Sequence, residues 1–196
     1  MPSPPCRPLD DDAVPAAVAL LADAFADDPA FVWAVPAPAR AAAVRRIEQA
    51  VVALHAPLGA SWVAGGDDVV GAAIWRPAGV RLGVLDQLRQ GLGRLALTVG
   101  PRGLQRMLAV QGRMAAHLRA HPHHDLLDTL GVRADVRGQG IGRALLAAHR
   151  DATGGAPACL FTTRPRNVAF YEANGFALRA SERLGDVELA FLTTGA

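Results

Sequence analysis

The stretch Leu126–Ala152, LLDTLGVRADVRGQGIGRALLAAHRDA, decides how this chain folds. An apolar strand runs into Arg137-Gly138-Gln139-Gly140-Ile141-Gly142-Arg143 and continues directly as an amphipathic helix. Such a junction leaves consecutive backbone N–H groups unpaired at the positive end of a helix, an arrangement suited to a phosphate or pyrophosphate. The glycines matter because a Cβ would hold the anion away from the amides. Arg137 and Arg143 can add charge-assisted hydrogen bonds. Taken alone, the segment reads equally well as a glycine-rich turn between a strand and a helix. Two other phosphate loops fail on the residues. A Walker loop needs Gly-Lys-Ser/Thr, and the chain contains no lysine. A dinucleotide fingerprint needs G-x-G-x-x-G with an acidic residue about twenty positions on, whereas here the spacing is G-x-G-x-G and Phe161–Thr163 carries no carboxylate.

Working outward, periodicity predicts an extended start at Pro5–Leu9, then a helix over 12–26 with Val14, Val18, Leu21 and Phe25 on one face, stopped by Asp27-Asp28-Pro29. A second helix is predicted near 38–55, and a hairpin follows with arms 61–65 and 69–77 around Gly66-Asp67-Asp68. Residues 84–99 and 102–120 read as two helices broken at Gly100-Pro101. Beyond the strand at 125–133 and the helix from Gly140 to Ala152 come a strand at 158–163, a short helix at 165–173 and two strands near 176–182 and 186–193. This alternation predicts an α/β fold built on a mixed sheet, as one domain over residues 1–196.

The 20 basic residues, all arginine, nearly balance 18 acidic ones, and a net charge of +2 spread along the chain gives no nucleic-acid footprint. Cys6 and Cys159 make neither a metal spacing nor a disulfide framework. The acidic, proline-rich MPSPPCRPLDDD start is unlike a signal peptide, and no uninterrupted apolar run reaches the ~18 residues of a membrane span. A cytoplasmic protein without membrane contact is the expectation.

The loop resembles the acetyl-CoA signature of the GNAT superfamily, (Arg/Gln)-x-x-Gly-x-(Gly/Ala), with Arg137, Gly140 and Gly142 at its fixed positions. Downstream, Asn167-Val168-Ala169-Phe170-Tyr171-Glu172-Ala173-Asn174-Gly175-Phe176 is similar to the family's N-x-x-(F/L)-Y-x-x-x-G-F block. The N-terminal ALLADAFADDPAF resembles the branch containing puromycin N-acetyltransferase. This resemblance implies a GNAT fold: a mixed, mostly antiparallel central sheet flanked by helices, with residues 84–120 as a two-helix insert between the third and fourth strands. It implies acetyl-CoA as co-substrate, held by Arg137, Gly138, Gln139, Gly140, Ile141, Gly142, Arg143 and Asn167. The backbone of Leu130 and Val132 would pair with the pantetheine arm.

By the same resemblance Tyr171, the only tyrosine, donates a proton to the leaving thiolate. A phenol with pKa near 10 stays protonated at neutral pH and can serve as an acid. Asn167, four residues earlier, shares its helical face. For the base, Asp128 alternates with Leu126, Leu130 and Val132, sharing one strand face unless a bulge intervenes. An aspartate among apolar neighbours has a raised pKa and can accept a proton; it reads equally as an ordinary polar residue on an exposed part of the strand. The branch's H-W-Y-L matches only at His124, because Asp125 and Leu126 replace both aromatics. His117, His121, His123 and His124 read as a solvated helix end and not a metal site, since Pro122 interrupts them. The insert leaves three readings open: extra core, a homodimer face, or a lid over the acceptor pocket. Phe31, Trp33, Trp75 and Asp28 are acceptor-side candidates by position. The expected activity is direct acetyl transfer to a primary amine of a small molecule. A protein amine as acceptor, or a non-catalytic acyl-CoA sensor, are the alternatives.

Overall fold

The computed structural model describes residues 5–66, 68–82 and 92–195. Its strands are β1 (Cys6–Pro8), β2 (Trp62–Ala64), β3 (Gly71–Arg76), β4 (Asp125–Val132), β5 (Ala158–Thr162), β6 (Ala177–Leu184) and β7 (Val187–Thr193). They form one sheet in the order β1-β2-β3-β4-β5-β7-β6. Every neighbouring pair is antiparallel except β4 and β5. The helices are α1 (Val14–Phe25), α2 (Pro29–Ala34), α3 (Ala37–His55), α4 (Leu92–Ala120), α5 (Ile141–Ala152) and α6 (Arg166–Glu172). The mixed, mostly antiparallel sheet flanked by helices is the architecture that the sequence predicts.

Helices cover both faces. On one, Ile141, Leu145 and Leu146 of α5 and Tyr171 of α6 pack against Ala73, Trp75, Leu127, Leu160 and Leu192. On the other, α1 and α3 cover Val63, Ala72 and Ile74, and α4 lays Val110 and Met114 over Val187, Leu189 and Phe191. Burying each leucine fully, as at Leu145 and Leu189, stabilises the fold by roughly 1.5–3 kcal/mol. The predicted break between two insert helices lies at Gly100, whose φ of 71° and ψ of 173° suit glycine alone, followed by Pro101. The start of the first insert helix, and Asp67 of the hairpin turn, fall outside the described residues. α2 was not anticipated. Asp28 caps it by accepting a hydrogen bond from the Ala30 N–H at 2.9 Å, and Pro29 opens its first turn, so the apparent stop signal is also a start signal.

Two irregularities in β4 shape the centre of the molecule. The register with β3 shifts between Ile74↔Thr129 and Trp75↔Leu127, making Asp128 the extra residue of a β-bulge. This corrects the expectation of a single shared face. Leu130 and Val132 pack toward the α5 side, whereas Asp128 reaches His55 of α3 on the opposite side. Moreover, β4 pairs with β5 only from Asp125↔Ala158 to Leu127↔Leu160. From Asp128 onward the two strands part. Arg133 donates its N–H to the Val70 carbonyl, so by two-residue alternation Leu130 and Val132 turn their N–H and C=O groups toward the open gap.

Candidate active site

The parted strands open a cleft of about 840 Å³ that runs between the two helical layers. One end is walled by Val136, Arg137, Gly138 and Gly140–Arg143, the middle by β4 together with Phe161–Arg164, and the other end by α2, α3 and α4. Asn167, Phe170 and Tyr171 of α6 face it from the β5 side. The sequence candidates Tyr171, Asp128, Leu130, Val132, Arg137, Gly138, Gly140, Ile141, Gly142, Arg143 and Asn167 all line this cleft; Gln139 is exposed on the loop and does not.

The loop has the geometry of an anion cradle. Gly138 and Gly140 hold φ of 79° and 80°, and α5 begins at Ile141 with no side chain capping its first amides. Gly142 has a different reason to be glycine. A Cβ there would lie 3.1 Å from Phe170 Cζ, so the residue lets α5 approach α6. Arg137 bends back, donating from Nε to the Val132 carbonyl at 3.1 Å, which ties the loop to the end of β4. A gap where β4 has left its neighbour strand, leading to a glycine-rich loop and the uncapped start of α5, fits an extended pantetheine chain ending in a pyrophosphate.

Comparison with known proteins agrees with that geometry. Residues 103–178 match the model of the acetyltransferase (GNAT) domain. That segment is similar to a GNAT acetyltransferase domain. Over 100% of its length the chain resembles histone acetyltransferase HPA2 and related acetyltransferase from Corynebacterium glutamicum, at 26% identity and a TM-score of 0.73, covering 98% of that chain. The fold is also that of the Drosophila melanogaster polyamine N-acetyltransferase, with 14% identity, a TM-score of 0.67, and 98% and 99% of the two chains covered. The NatC complex, solved with Gag peptide and CoA, shares it at 12% identity and a TM-score of 0.57, over 100% of this chain and 99% of that one.

Within the matched segment, Tyr171 is buried, and burial pushes its phenol above the ordinary value, so it is protonated throughout the neutral range. Phe170 and Phe176 meet its ring edge-on at 5.1 and 5.8 Å and fix its position. Asn167 sits one helical turn earlier, in the first turn of α6, and donates from Nδ2 to Thr162 Oγ1 at 3.4 Å.

At the other end of the cleft stand groups that the sequence reading passed over. Glu48 of α3 is 3% exposed, lines the cleft, and its Oε2 has no hydrogen-bond partner. Burial first, then the charges of Asp128 and Asp28, push its carboxyl up to about 8. His55, 1% exposed, donates from Nδ1 to the Val51 carbonyl at 2.6 Å and turns Nε2 toward Asp128 Oδ2 at 3.4 Å. A signal for both was present. With Val44 and Val52, Glu48 and His55 occupy one buried stripe of α3, where helical periodicity calls for apolar residues.

Of the acceptor-side candidates, Asp28 and Phe31 line the cleft. Trp75 instead stacks on His149 at 3.7 Å in the α5-side core, and Trp33 packs beneath Arg106 and against the core of β7. Asp28 accepts from the Thr163 hydroxyl at 2.7 Å and from the Ala30 amide, while Arg164 binds Asp27 at 2.6 Å and approaches Asp28 at 3.7 Å. Insert residues Met107, Val110, Gln111 and Met114 wall the cleft, and Val110 and Met114 are also core. The histidines of the insert end contact one another, His117 and His121 at 4.5 Å between centroids, but no group of metal-binding side chains forms among the described residues. Among those residues no helix is long and apolar enough to cross a membrane.

Proposed function

We propose that this protein transfers an acetyl group from acetyl-CoA directly to a primary amine of a small molecule. The observation that carries this reading is the cleft itself. It joins the anion cradle, the part of β4 that has left β5, a protonated phenol and a carboxyl-lined inner end in one continuous space. Arg137, Gly138, Gly140, Ile141, Gly142 and Arg143 hold the pyrophosphate, and Leu130 and Val132 hold the pantetheine arm. Asn167 orients the thioester, Tyr171 gives its proton to the departing sulfur, and Asp128 belongs to the end that receives the amine.

A small acceptor is favoured over a protein amine because the inner end is deep. Glu48 is almost fully buried, and α2, α3 and α4 close around it. Solved relatives of the same fold include a polyamine and an agmatine N-acetyltransferase, which supports a small amine as the acceptor. Release of free thiol from acetyl-CoA, followed across a panel of amines, tests the reading. Acetylation of at least one small amine is expected. Tight binding of acetyl-CoA with no amine acetylated would instead leave the protein as an acyl-CoA sensor.

A further inference from the structure

Resting on that reading, we infer that Glu48 is the group that receives and deprotonates the acceptor, and that the acceptor is an amine with one cationic nitrogen on an apolar body. The inner end of the cleft holds four acidic side chains, and two of them are already held by hydrogen bonds, while Asp128 only approaches His55 Nε2 at 3.4 Å. Asp27 pairs with Arg164, Asp28 accepts from Thr163 and Ala30 beside the same guanidinium, and Asp128 faces His55. Glu48 alone among them reaches the cleft with an unpartnered, buried oxygen. A buried carboxyl oxygen with no donor is costly unless a ligand supplies one, and an ammonium group supplies three.

The walls around Glu48 specify the remainder of the ligand. Phe25, Phe31, Ile47, Val51, Met107 and Met114 line the same cleft as Glu48, so the described surface offers an apolar body ample contact. This distinguishes an arylalkyl or branched alkyl monoamine from a polyamine or guanidinoamine, whose second charge would lie desolvated against methionine and phenylalanine.

The protons balance. Ionised Glu48 takes one proton from R–NH3+, giving R–NH2 and the carboxylic acid. The free nitrogen pair attacks the thioester carbonyl carbon, forming C–N. Breaking C–S releases a thiolate that takes the Tyr171 proton, and the second proton lost by nitrogen restores the phenol. One proton reaches solvent for each turnover. Burial sets the titration of Glu48 first; Asp128 from β4 and Asp28 from the α1–α2 turn raise it further, the side chain of Thr129 on β4 opposes them, and the α4 residues that line the cleft, Met107, Val110, Gln111 and Met114, are uncharged. On α3 itself, His55 is directed at Asp128 and Val51.

The test compares 2-phenylethylamine with agmatine and spermidine, in wild type and Glu48→Gln, across pH 6–9, with acetyl-CoA binding followed by calorimetry. The expected result is a kcat/KM at least tenfold higher for phenylethylamine than for either comparator. It should rise with pH to a plateau past about 8. Glu48→Gln should lose a hundredfold or more and flatten that rise, while binding acetyl-CoA normally. A preference for agmatine or spermidine, or a Glu48→Gln variant with the wild-type pH profile, overturns the inference while leaving acetyl transfer intact. If no amine is acetylated although acetyl-CoA binds, the acetyltransferase reading falls with it. Should Glu48→Gln prove unstable, Asp128→Asn supplies the second measurement. It must move the inflection to lower pH, and an unmoved inflection counts against Glu48.

Discussion

His55 Nε2 stands 3.4 Å from Asp128 Oδ2 while the opposite ring nitrogen is committed to the Val51 carbonyl. With Nδ1–H donated to a carbonyl, Nε2 offers Asp128 a proton only when the ring is doubly protonated. The bulge separates Asp128 from the face of Leu130 and Val132, which pack on the α5 side. The charge of Asp128 raises the pKa of the Glu48 carboxyl. Changing Asp128→Asn keeps the shape and deletes that charge, so Glu48 should ionise at lower pH and the rise in kcat/KM should shift downward. Near-complete loss of turnover in Asp128→Asn, beside a tolerant Glu48→Gln, would make Asp128 itself the base.

Burial of Glu48 also predicts how stability depends on pH. Its carboxyl titrates near 8 in the folded protein, against 4.5 as an unperturbed group. Between those values the folded state binds more protons than the unfolded one, so stability falls as pH rises through this window and levels off above it. The loss is on the order of a few kcal/mol. Gln cannot ionise, so Glu48→Gln should remove this slope and become more stable than wild type above pH 8. Urea unfolding at pH 5, 7 and 9 measures it, and parallel slopes for the two proteins would show that Glu48 is not desolvated.

The sequence made the strand–loop–helix unit legible because its chemistry is local. Gly138 and Gly140 need positive φ, and periodicity places α5 immediately after them. The place of Tyr171 on the cleft was legible for the same reason, since it stands in a short local block. The acceptor end was not, since it is assembled from α1, α2, α3, α4 and β4, which tertiary packing alone brings together. Asp128 shows the limit most clearly. Two-residue alternation gave its face relative to Leu130 and Val132 wrongly, because a bulge leaves no mark in a run such as DLLDTLGV. Glu48 and His55 did leave a mark, as polar residues on an apolar stripe, but helical periodicity alone does not distinguish a functional carboxyl from a frayed face.

The anion cradle gives a direct binding test. Gly140 holds φ of 80° at the junction of loop and α5, next to the uncapped start of the helix. In Gly140→Asp a carboxylate would stand where the pyrophosphate belongs, at the positive end of the dipole. Acetyl-CoA affinity should fall at least tenfold by calorimetry, with a modest drop in Tm from the left-handed backbone. A folded variant with unchanged affinity would remove the loop from cofactor binding.

Tyr171→Phe tests the chemistry with the least disturbance to packing. The ring is held by Phe170 and Phe176, and those contacts survive loss of the hydroxyl. A free thiol such as that of cysteine has a pKa near 8.5, so its thiolate is a tolerable but imperfect leaving group at neutral pH. Burial keeps the phenol protonated until the sulfur departs, so the proton is present when needed. General acid assistance is typically worth a factor of about 10² to 10⁴. A fall in kcat of about tenfold or more is therefore expected, with acetyl-CoA affinity little changed. Product release can mask the chemical step in the steady state, so single-turnover acetylation is the measurement that decides. Undiminished single-turnover rates in Tyr171→Phe would mean that water or another group protonates the thiolate, and Tyr171 would then be a packing residue of α6.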